Sequence, residues 1–449
     1  MSFKDRRVLT VAALIADEGG SIKTGPFGTT LKASEYVTEG EPLISVREIG
    51  QGTFHVDAKT PRVSGETRMR LPEYVLAEGD IVFARKGGIE RCALIKKEQA
   101  GWFLGSDGIR LRPPKSCDAR FLAYSLQTKA IKDWLRQNST GSTMASLNQS
   151  TIGRLPIALP RIEEQVKAAD TLEALDDRIT LLRETNATLE AIAQALFKSW
   201  FVDFDPVRAR MEGRPPEGMD DATAALFPDS FEESELGLVP KGWQLGTVGQ
   251  FANVTDCLHA KKPELRETGR PFLQLNNIRD DGLLDTSSLS YVSEIDYRKW
   301  ISRIEVSEGD CVITNVGRVG AVAQIPSSLK AAMGRNMTAI RTKNDWPYPT
   351  FLIELLQSKV MRAEIERRTD IGTILNALNV RNIPLLRCVL PPKAILAVFE
   401  LTARPLRAAM EANLDRATSL ATLRDTLLPR LISGQLRLPD AEAMAPETA

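Results

Sequence analysis

The sequence predicts an α+β protein built by duplication: two mixed α/β modules joined by two long antiparallel helices that form a coiled-coil spacer. Three observations predict this plan. A unit of about 230 residues occurs twice in the 449-residue chain, each copy begins with short apolar runs broken by turn residues, and each copy ends in a heptad-like stretch. A pseudo-two-fold axis would relate the copies and hold the two modules at opposite ends of the spacer.

Two pairs of motifs establish the repeat. "EGDIVF" begins at Glu78 and "EGDCVI" begins at Glu308, an offset of 308 − 78 = 230 residues. "TGSTMASLNQSTIGRLPIALP" matches "IGTILNALNVRNIPLLRCVLP" and pairs Asn148 with Asn379, an offset of 379 − 148 = 231. Apolar runs such as "GDIVFARKGG", which end in glycine-rich turns, are typical of strands.

Each copy then ends in a segment with the pattern of a long helix. Residues 160–200 contain no glycine, and their only proline, Pro160, lies at the start, where a helix tolerates it. A lone helix would expose its apolar stripe, so the two copies are expected to pair along a coiled-coil seam. The seam positions are Leu172, Leu175, Ile179, Leu182, Asn186, Leu189, Ala193, Leu196 and Trp200 in the first copy, and Leu406, Met410, Ala417, Leu420, Leu427 and Leu431 in the second.

Two residues qualify the helical prediction. Asn186 lies on the seam, where a buried polar residue can fix the register, although an Asn tilted toward solvent fits the sequence equally well. Pro405 lies inside the second helical segment and predicts a kink or a restart there. The expected domains are a first module over residues 1–158, a central spacer over 159–205, a linker over 206–240, a second module over 241–390, a C-terminal spacer over 391–436 and a tail over 437–449.

Composition narrows the class of protein. The five cysteines form no CxxC pair and there are only two histidines, so neither a zinc framework nor a disulfide scaffold is expected. This cysteine usage predicts a protein of the reducing cytoplasm. No apolar run approaches the roughly 18 residues that span a bilayer, so no membrane association is expected. His55 and His259 are expected to be turn or surface residues.

Charge is sorted along the chain although the net charge is zero. Residues 1–150 carry 22 Lys and Arg against 17 Asp and Glu (+5), residues 151–240 carry 9 against 18 (−9), and residues 241–390 carry 20 against 16 (+4). Two basic modules that face nucleic acid on an acidic spacer would produce this pattern, and so would ordinary fluctuation.

The stretch "LFKSWFVDFDPV", residues 196–207, followed by "EGRPPEGMDDATAALFPDSFEESELGLVPKGW", resembles the central region of specificity subunits of type I restriction-modification systems. The duplicated layout and the opening "GPFGTTLKASEYVTEGEPLISVREI" are similar to that family as well. The resemblance covers nearly the whole chain and implies a DNA sequence-specificity subunit whose two modules are target-recognition domains, each reading one half of a split double-stranded DNA target.

The same resemblance implies the partners and cofactors. Two modification subunits, which methylate adenine with S-adenosylmethionine, would dock on the helical spacers, and restriction subunits driven by ATP and Mg would join them. The chain itself would bind no cofactor and no metal and would not be an enzyme. Its Pro-Pro pairs lack the Asn/Asp-Pro-Pro-aromatic loop of adenine methyltransferases, and it has no G-x-x-x-x-G-K-[ST] loop for ATP. A coiled-coil adaptor with peptide-binding modules is the alternative.

Base reading favours Arg or Lys against guanine and Asn or Gln against adenine, carried on loops. The candidates for DNA contact in the first module are Lys32, Ser34, Tyr36, Arg47, Arg85 and Lys86; those in the second are Lys261, Lys262, Asn276, Asn277, Arg279, Asn315, Arg318, Arg335 and Asn336. The position in the repeat supports two of these pairs most strongly, Arg85 with Lys86 and Asn315 with Arg318, because each pair follows the "EGD" strand of its copy.

The aromatic stretch begins where the repeat register fails, which places it at a junction rather than in the shared helix. Phe197, Trp200, Phe201 and Phe204 would form one face that packs on the antiparallel helix or docks a modification subunit, and we assign them to subunit docking. Asp203 and Asp205 resemble a carboxylate pair, but the following Pro206 favours helix termination.

Overall fold

The computed structural model describes residues 7–16, 19–141, 145–235, 237–372 and 375–436, so the expected tail over 437–449 lies outside the described residues. The chain forms two compact units. The first comprises residues 1–179 with 419–449, and the second comprises residues 180–418. Within the described ranges, no helix is both long and apolar enough to cross a membrane.

The first unit contains the first mixed module. Its strands are β1 (Arg7–Thr10), β2 (Ser21–Thr24), β3 (Tyr36–Val37), β4 (Glu41–Ile44), β5 (Arg62–Val63), β6 (Ile81–Ala84), β7 (Cys92–Leu94), β8 (Phe103–Leu104), β9 (Gly108–Arg112) and β10 (Pro156–Leu159). Its helices are α1 (Val11–Ala16), α2 (Gly65–Arg70), α3 (Ala119–Leu126), α4 (Lys129–Asn138) and α5 (Gln149–Gly153). The long helix α6 (Ile162–Phe201) begins in this unit and ends in the other.

The second unit contains the linker and the second mixed module. Its strands are β11 (Phe231–Ser234), β12 (Gly237–Pro240), β13 (Gln244–Thr247), β14 (Ala252–Asp256), β15 (Arg270–Leu273), β16 (Ser290–Val292), β17 (Cys311–Thr314), β18 (Val322–Gln324), β19 (Ala332–Met333), β20 (Met337–Thr342), β21 (Thr369–Asp370), β22 (Ala377–Leu378) and β23 (Arg387–Leu390). Its helices are α7 (Asp205–Met211), α8 (Asp221–Ala224), α9 (Val248–Phe251), α10 (Glu294–Trp300), α11 (Pro349–Gln357) and α12 (Lys359–Arg367). The long helix α13 (Lys393–Ser433) begins in this unit.

The central sheet has the same strand order in both units, which confirms the duplication. The first sheet runs β2-β9-β6-β7 and the second runs β14-β20-β17-β18, with antiparallel pairing throughout. A second strand pair is parallel in each unit, β4 with β8 and β15 with β19. The strands that begin and end each module also correspond, because β1 pairs with β10 and β13 pairs with β23.

The repeated "EGD" motif builds the same ion pair in each unit. Asp80 is fully buried and accepts from Nε and Nη2 of Arg112 at 2.6 and 2.7 Å. Asp310 accepts from the same two atoms of Arg341 at 2.6 and 2.5 Å. Each aspartate also accepts a backbone N–H three residues earlier in the chain, which closes the turn before β6 or β17. Bidentate pairs of this kind are strong and directional, so the motif ties together the two central strands of each sheet.

The seam between α6 and α13 is the predicted one, since its positions are buried or half-buried. Within the second unit, the Asn186 side chain donates to the Met410 carbonyl at 2.9 Å and accepts from the Asn413 side chain at 3.0 Å. Further along α6, the ring of Phe197 lies 6.0 Å from that of Phe399. The partner numbers fall as the α6 numbers rise, so the helices are antiparallel there. Asn186 therefore bonds across the seam rather than tilting into solvent.

Pro405 does not restart the second helix. The single helix α13 runs through it, so the expected restart is wrong. A proline deprives the carbonyl four residues earlier of its helical donor, but that residue is Leu401, whose side chain is exposed. Water can satisfy a carbonyl on this outer face, which lowers the cost of the missing hydrogen bond.

A helix of each module packs against the long helix that follows it. In the first unit, Arg120 of α3 donates to Asp170 and Glu173 of α6 at 2.8 Å each. One turn later, the Tyr124 hydroxyl donates to Asp176 at 2.8 Å. These bonds connect the module to the seam through charged and polar groups rather than through apolar packing alone.

The second unit has the corresponding contact with a different chemistry. Thr350 of α11 donates its N–H and its hydroxyl to Glu400 of α13. One turn later on α11, Glu354 lies 3.5 Å from Arg407 of α13, and Arg407 also donates to the carbonyl of Gly282 at 2.8 Å. Arg407 and Glu354 are almost completely buried, so the spacer helix and the module share a buried ion pair.

We expect Glu354 to make the stability of the second unit depend on pH. Burial raises the pKa of Glu354 from 4.5 to about 7, although the Arg407 charge acts in the opposite direction. A carboxyl with a raised pKa contributes stability that is complete below 4.5 and is lost as the pH rises through about 7. The free energy of unfolding of the wild type, relative to that of Glu354→Gln, should therefore fall between about pH 5 and 8. Denaturant titrations at several pH values measure this difference, and parallel curves would contradict the expectation.

The aromatic stretch lies in the core of the second unit. Phe197, Trp200, Phe201 and Phe204 are 3 to 8% exposed. Their ring partners belong to the same unit: Phe399 on α13, Phe351 on α11, and Phe227, Phe231 and Trp243 in or near the linker. These four rings therefore pack against the chain's own residues, and Phe197, Phe201 and Phe204 also border an open cavity, so their assignment to subunit docking stays a prediction.

Candidate nucleic-acid interface

Four loops meet at one end of the central sheet in the first unit, and we call them the first loop cluster. They are residues 25–28 after β2, 85–88 after β6, 105–108 before β9, and the described parts of 140–147. Backbone hydrogen bonds join them: Gly25 N–H to the Gly108 carbonyl at 3.0 Å, Arg85 N–H to the Asp107 carbonyl at 2.8 Å, and Leu147 N–H to the Arg85 carbonyl at 2.8 Å. The repeat motif that contains Asn148 thus closes the cluster.

The second unit has an equivalent cluster, the second loop cluster. It comprises residues 257–260 after β14, 315–318 after β17, 334–337 around the start of β20, and the described parts of 371–378. The Asn315 N–H donates to the Asn336 carbonyl at 2.9 Å, and the Leu378 N–H donates to the Asn315 carbonyl at 2.8 Å. The duplication therefore presents the same set of loops twice.

The first loop cluster brings together two predicted DNA-contact residues. Arg85 holds its guanidinium 5.3 Å from the ring centre of Phe27 and donates to the Ser106 carbonyl at 3.3 Å. Lys86 is exposed and lies 3.3 Å from Asp107. A third candidate, Tyr36, has its pKa raised first by burial and then by the Asp107 carboxylate. Cationic donors are thus concentrated at this end of the sheet.

The second loop cluster presents Arg335 and Asn336, which are both exposed. Asn336 has a φ of +63°, a left-handed conformation that few residues other than glycine and asparagine adopt readily. This conformation lets the chain turn sharply into β20 while both side chains stay accessible. An adjacent Arg and Asn offer the donors that read guanine and adenine edges.

Two predicted contact residues are buried structural groups, so their assignment to DNA is wrong. Asn277 is 0% exposed and donates to the carbonyls of Asp285 and Ser288. Asn315 donates to the Leu378 carbonyl at 3.1 Å and accepts from Thr338 at 2.9 Å. Their amides satisfy loop backbone and sheet side chains, so they shape the loops without facing a ligand.

A polar cleft of about 170 Å³ brings Arg279 and Arg318 together with Arg362 of α12. Arg279 is paired with Asp281 at 2.6 Å, and Arg318 donates to the Ile278 carbonyl at 2.9 Å. Sequence reasoning missed Arg362, because attention to loops left helix α12 aside. Its signal was the basic composition of "KVMRAEIERR", residues 359–368.

The remaining candidates are distributed outside these two clusters. Arg47 is bound to Asp57 at 2.7 Å and to the Lys59 carbonyl at 3.3 Å, which fixes its guanidinium within its own loop. Arg47 is exposed, and so are the other remaining candidates, which carry no such ion pair with a described residue: Lys32, Ser34, Lys261, Lys262 and Asn276. Arg47 is therefore less available than these five, whose contact with DNA stays a prediction.

The carboxylate pair of the aromatic stretch marks the end of a helix. Helix α6 ends at Phe201, Asp203 is paired with Lys198, and Asp205 begins α7. Phe204 takes the left-handed conformation that turns the chain between the helices. Helix termination, rather than a paired-carboxylate site, is the arrangement observed.

One group of potential metal ligands occurs among the described residues. The ligand atoms of Asp256, Cys257 and His259 lie within 4.8 Å of one another. The Asp256 carboxylate already binds the His259 ring at 2.7 Å and lies 3.7 Å from the Arg303 guanidinium. Protein groups thus occupy the carboxylate, and three donors from one short loop fall short of the usual four-ligand zinc set.

The two clusters resemble each other in backbone and differ in side chains. Such an arrangement suits reading DNA, in which exposed cations neutralise phosphates and loop amides and guanidinia discriminate bases. Equivalent loops with different donors can read different bases with the same framework.

Comparison with known proteins agrees with this geometry. Residues 28–191 match the family model of the type I restriction modification DNA specificity domain. The chain is 24% identical over 428 residues to the type I restriction enzyme MjaIX specificity subunit of Methanocaldococcus jannaschii, covering 94% of this chain and 92% of that protein. It is 25% identical over 340 residues to the HindI specificity subunit of Haemophilus influenzae, covering 66% and 72% of the two chains.

The fold agrees as well. The crystal structure of a type I restriction-modification S subunit from M. genitalium superposes with a TM-score of 0.58 at 17% identity, covering 95% of this chain and 96% of that one. This likeness concerns the fold, and it accompanies the duplicated module-and-helix plan and the match of the first module to the family model. The chain is thus similar to type I restriction-modification specificity subunits in sequence over nearly its whole length, and similar to one of them in fold.

Proposed function

We propose that this chain is the DNA sequence-specificity subunit of a type I restriction-modification complex. Its two loop clusters each read one half of a bipartite double-stranded target. The observation that carries the proposal is the repetition of one set of loops, on one strand order, with Arg85 and Lys86 in the first unit and Arg335 and Asn336 in the second. Two recognition surfaces on a single chain suit a split target.

Catalysis and cofactors would belong to the partner subunits. In this proposal two modification subunits bring S-adenosylmethionine and methylate adenine, and restriction subunits bring the ATP- and Mg-dependent activity. The chain contributes recognition and the paired helices α6 and α13 as a platform for assembly. The family resemblance and the absence of the expected catalytic motifs from the sequence support this division of labour.

The test uses the chain assembled with its modification subunits. Sequencing of methylated host DNA gives the target, and binding is then measured for the intact duplex and for duplexes with either half scrambled. We expect the intact duplex to bind at least about 10³-fold more tightly than a fully scrambled one at about 50 and 200 mM salt. Scrambling either half alone should produce part of this loss. Equal binding of all duplexes at both salt concentrations would refute the proposal and favour a coiled-coil adaptor.

Single-residue variants add a second readout to the same measurement. Lys86→Ala should weaken binding and lower the salt dependence by about one phosphate contact, because Lys86 is an exposed cation of the first loop cluster. Lys97→Ala is the matched control, since Lys97 is exposed but follows β7 at the opposite end of the sheet. An equal effect of the two substitutions would place the DNA elsewhere.

A further inference from the structure

The two loop clusters each present an exposed planar ring at the same topological position. Thr24 at the end of β2 pairs with Ile109 of β9, and Asp256 at the end of β14 pairs with Thr338 of β20. Ile109 and Thr338 are equivalent in the repeat, so Thr24 corresponds to Asp256. The ring is the third residue after that position in both units: Phe27 in the first and His259 in the second.

Phe27 is 57% exposed although its backbone is firmly held. Its carbonyl accepts from Thr30 and Leu31 at 2.8 and 3.2 Å. Before it, a Cβ on Gly25 would lie 1.8 Å from the Gly105 carbonyl oxygen, so the loop lies directly against the neighbouring turn. A single exposed apolar residue means little by itself, but this ring is fixed in place beside Arg85.

The ring of His259 is also exposed and also held by a charged neighbour. Its Nε2 lies 2.7 Å from an Asp256 carboxylate oxygen. A cation therefore stands beside the ring in the first unit, and an anion holds the ring in the second. The position is the same and the chemistry is different, which is the pattern expected of residues that distinguish two half-sites.

We propose that Phe27 and His259 are base-contacting residues, and that Phe27 packs its ring on the 5-methyl group of a thymine in the half-site read by the first unit. This inference rests on the proposed function and deepens it. The thymine methyl is the one apolar group on the base edges of the major groove, so an exposed apolar ring beside the Arg85 guanidinium suits it. His259 contacts a base in the half-site read by the second unit, through the polar edge of its imidazole ring.

The experiment replaces each thymine of the target in turn with deoxyuridine, which removes only the methyl group. The chain is assembled with its modification subunits, and binding is measured for the wild type and for Phe27→Ser. We expect one thymine at which the wild type loses about fourfold in affinity, the effect of burying one methyl group. Phe27→Ser should lose nothing at that position, and Phe27→Leu should keep part of the effect.

His259 is tested on base-substituted targets. His259→Ala should reduce the discrimination between bases in one half-site. This should be the half-site in which Phe27→Ser has no effect. Met69→Ser, an exposed apolar position on α2 outside the four loops, is the control and should behave as the wild type. The inference would be overturned if the wild type and Phe27→Ser lost the same affinity on substitution of every thymine, or if the half-site read by the first unit contained no thymine. Specific binding by the wild type in that same experiment would leave the proposed function standing, whereas its absence would remove both.

Discussion

Replacing Phe201 with alanine is expected to lower the free energy of unfolding of the second unit by about 3–5 kcal/mol. Phe201 is 8% exposed, and its ring centre lies 5.0 Å from that of Phe399, 5.2 Å from that of Phe351 and 6.0 Å from that of Trp243. These rings come from α13, α11 and the segment before β13. The cavity left by the substitution would therefore lie where these three elements meet.

Denaturant unfolding followed by tryptophan fluorescence measures the effect, because Trp200 and Trp243 lie in the same cluster. Phe27→Ala is the matched control, since the same atoms are removed from an exposed position and should cost well below 1 kcal/mol. The alternative role is docking, because Phe201 also borders a cavity of about 430 Å³. Unchanged stability combined with lost binding of a modification subunit would support the docking assignment instead of a core role.

The architecture could be predicted because its signals repeat. The "EGD" motif, the asparagines Asn148 and Asn379 and the heptad positions recur at a nearly constant offset, and a repeat of that kind admits few folds. Both asparagines cap the turn that follows them by accepting a backbone N–H, from Thr151 in one unit and Arg381 in the other. The domain boundaries derived from the same register stay a prediction.

The site was harder to predict, because burial depends on segments that are distant in sequence. Asn315 follows the "EGD" strand as Arg85 does, yet its amide is consumed by Leu378 and Thr338. Asn277 is likewise consumed by Asp285 and Ser288. The sequence of a loop does not show whether an Asn side chain bonds to a base or to a neighbouring carbonyl.

The aromatic stretch shows the same difficulty with apolar groups. The register identified a junction correctly, but whether its rings face a partner or the interior depended on Phe351 and Phe399. Those rings lie about 150 to 200 residues further along the chain, in positions that look like ordinary helix interior. Only their convergence in the folded unit shows that the stretch is core.

Replacing Arg407 with methionine is the second large perturbation, with an expected loss of about 3–5 kcal/mol in the free energy of unfolding of the second unit. The Arg407 side chain is 3% exposed; it lies 3.5 Å from Glu354 and donates to the Gly282 carbonyl at 2.8 Å. Its removal leaves a buried carboxylate and a buried carbonyl without this donor. The cost should shrink below about pH 7, because the raised pKa of Glu354 lets that carboxyl take up a proton.

Two further variants separate the ion pair from general packing. Arg407→Met combined with Glu354→Leu should recover most of the loss, because replacing a buried pair by apolar groups is often neutral. Arg404→Met, one turn earlier, removes an exposed pair with Glu308 and should cost no more than about 1 kcal/mol. Gly282 follows Arg279 by three residues, so the single variant should also weaken DNA discrimination in the second half-site. A double variant as unstable as Arg407→Met would show that the bond to Gly282, rather than the pairing with Glu354, dominates the contribution of Arg407.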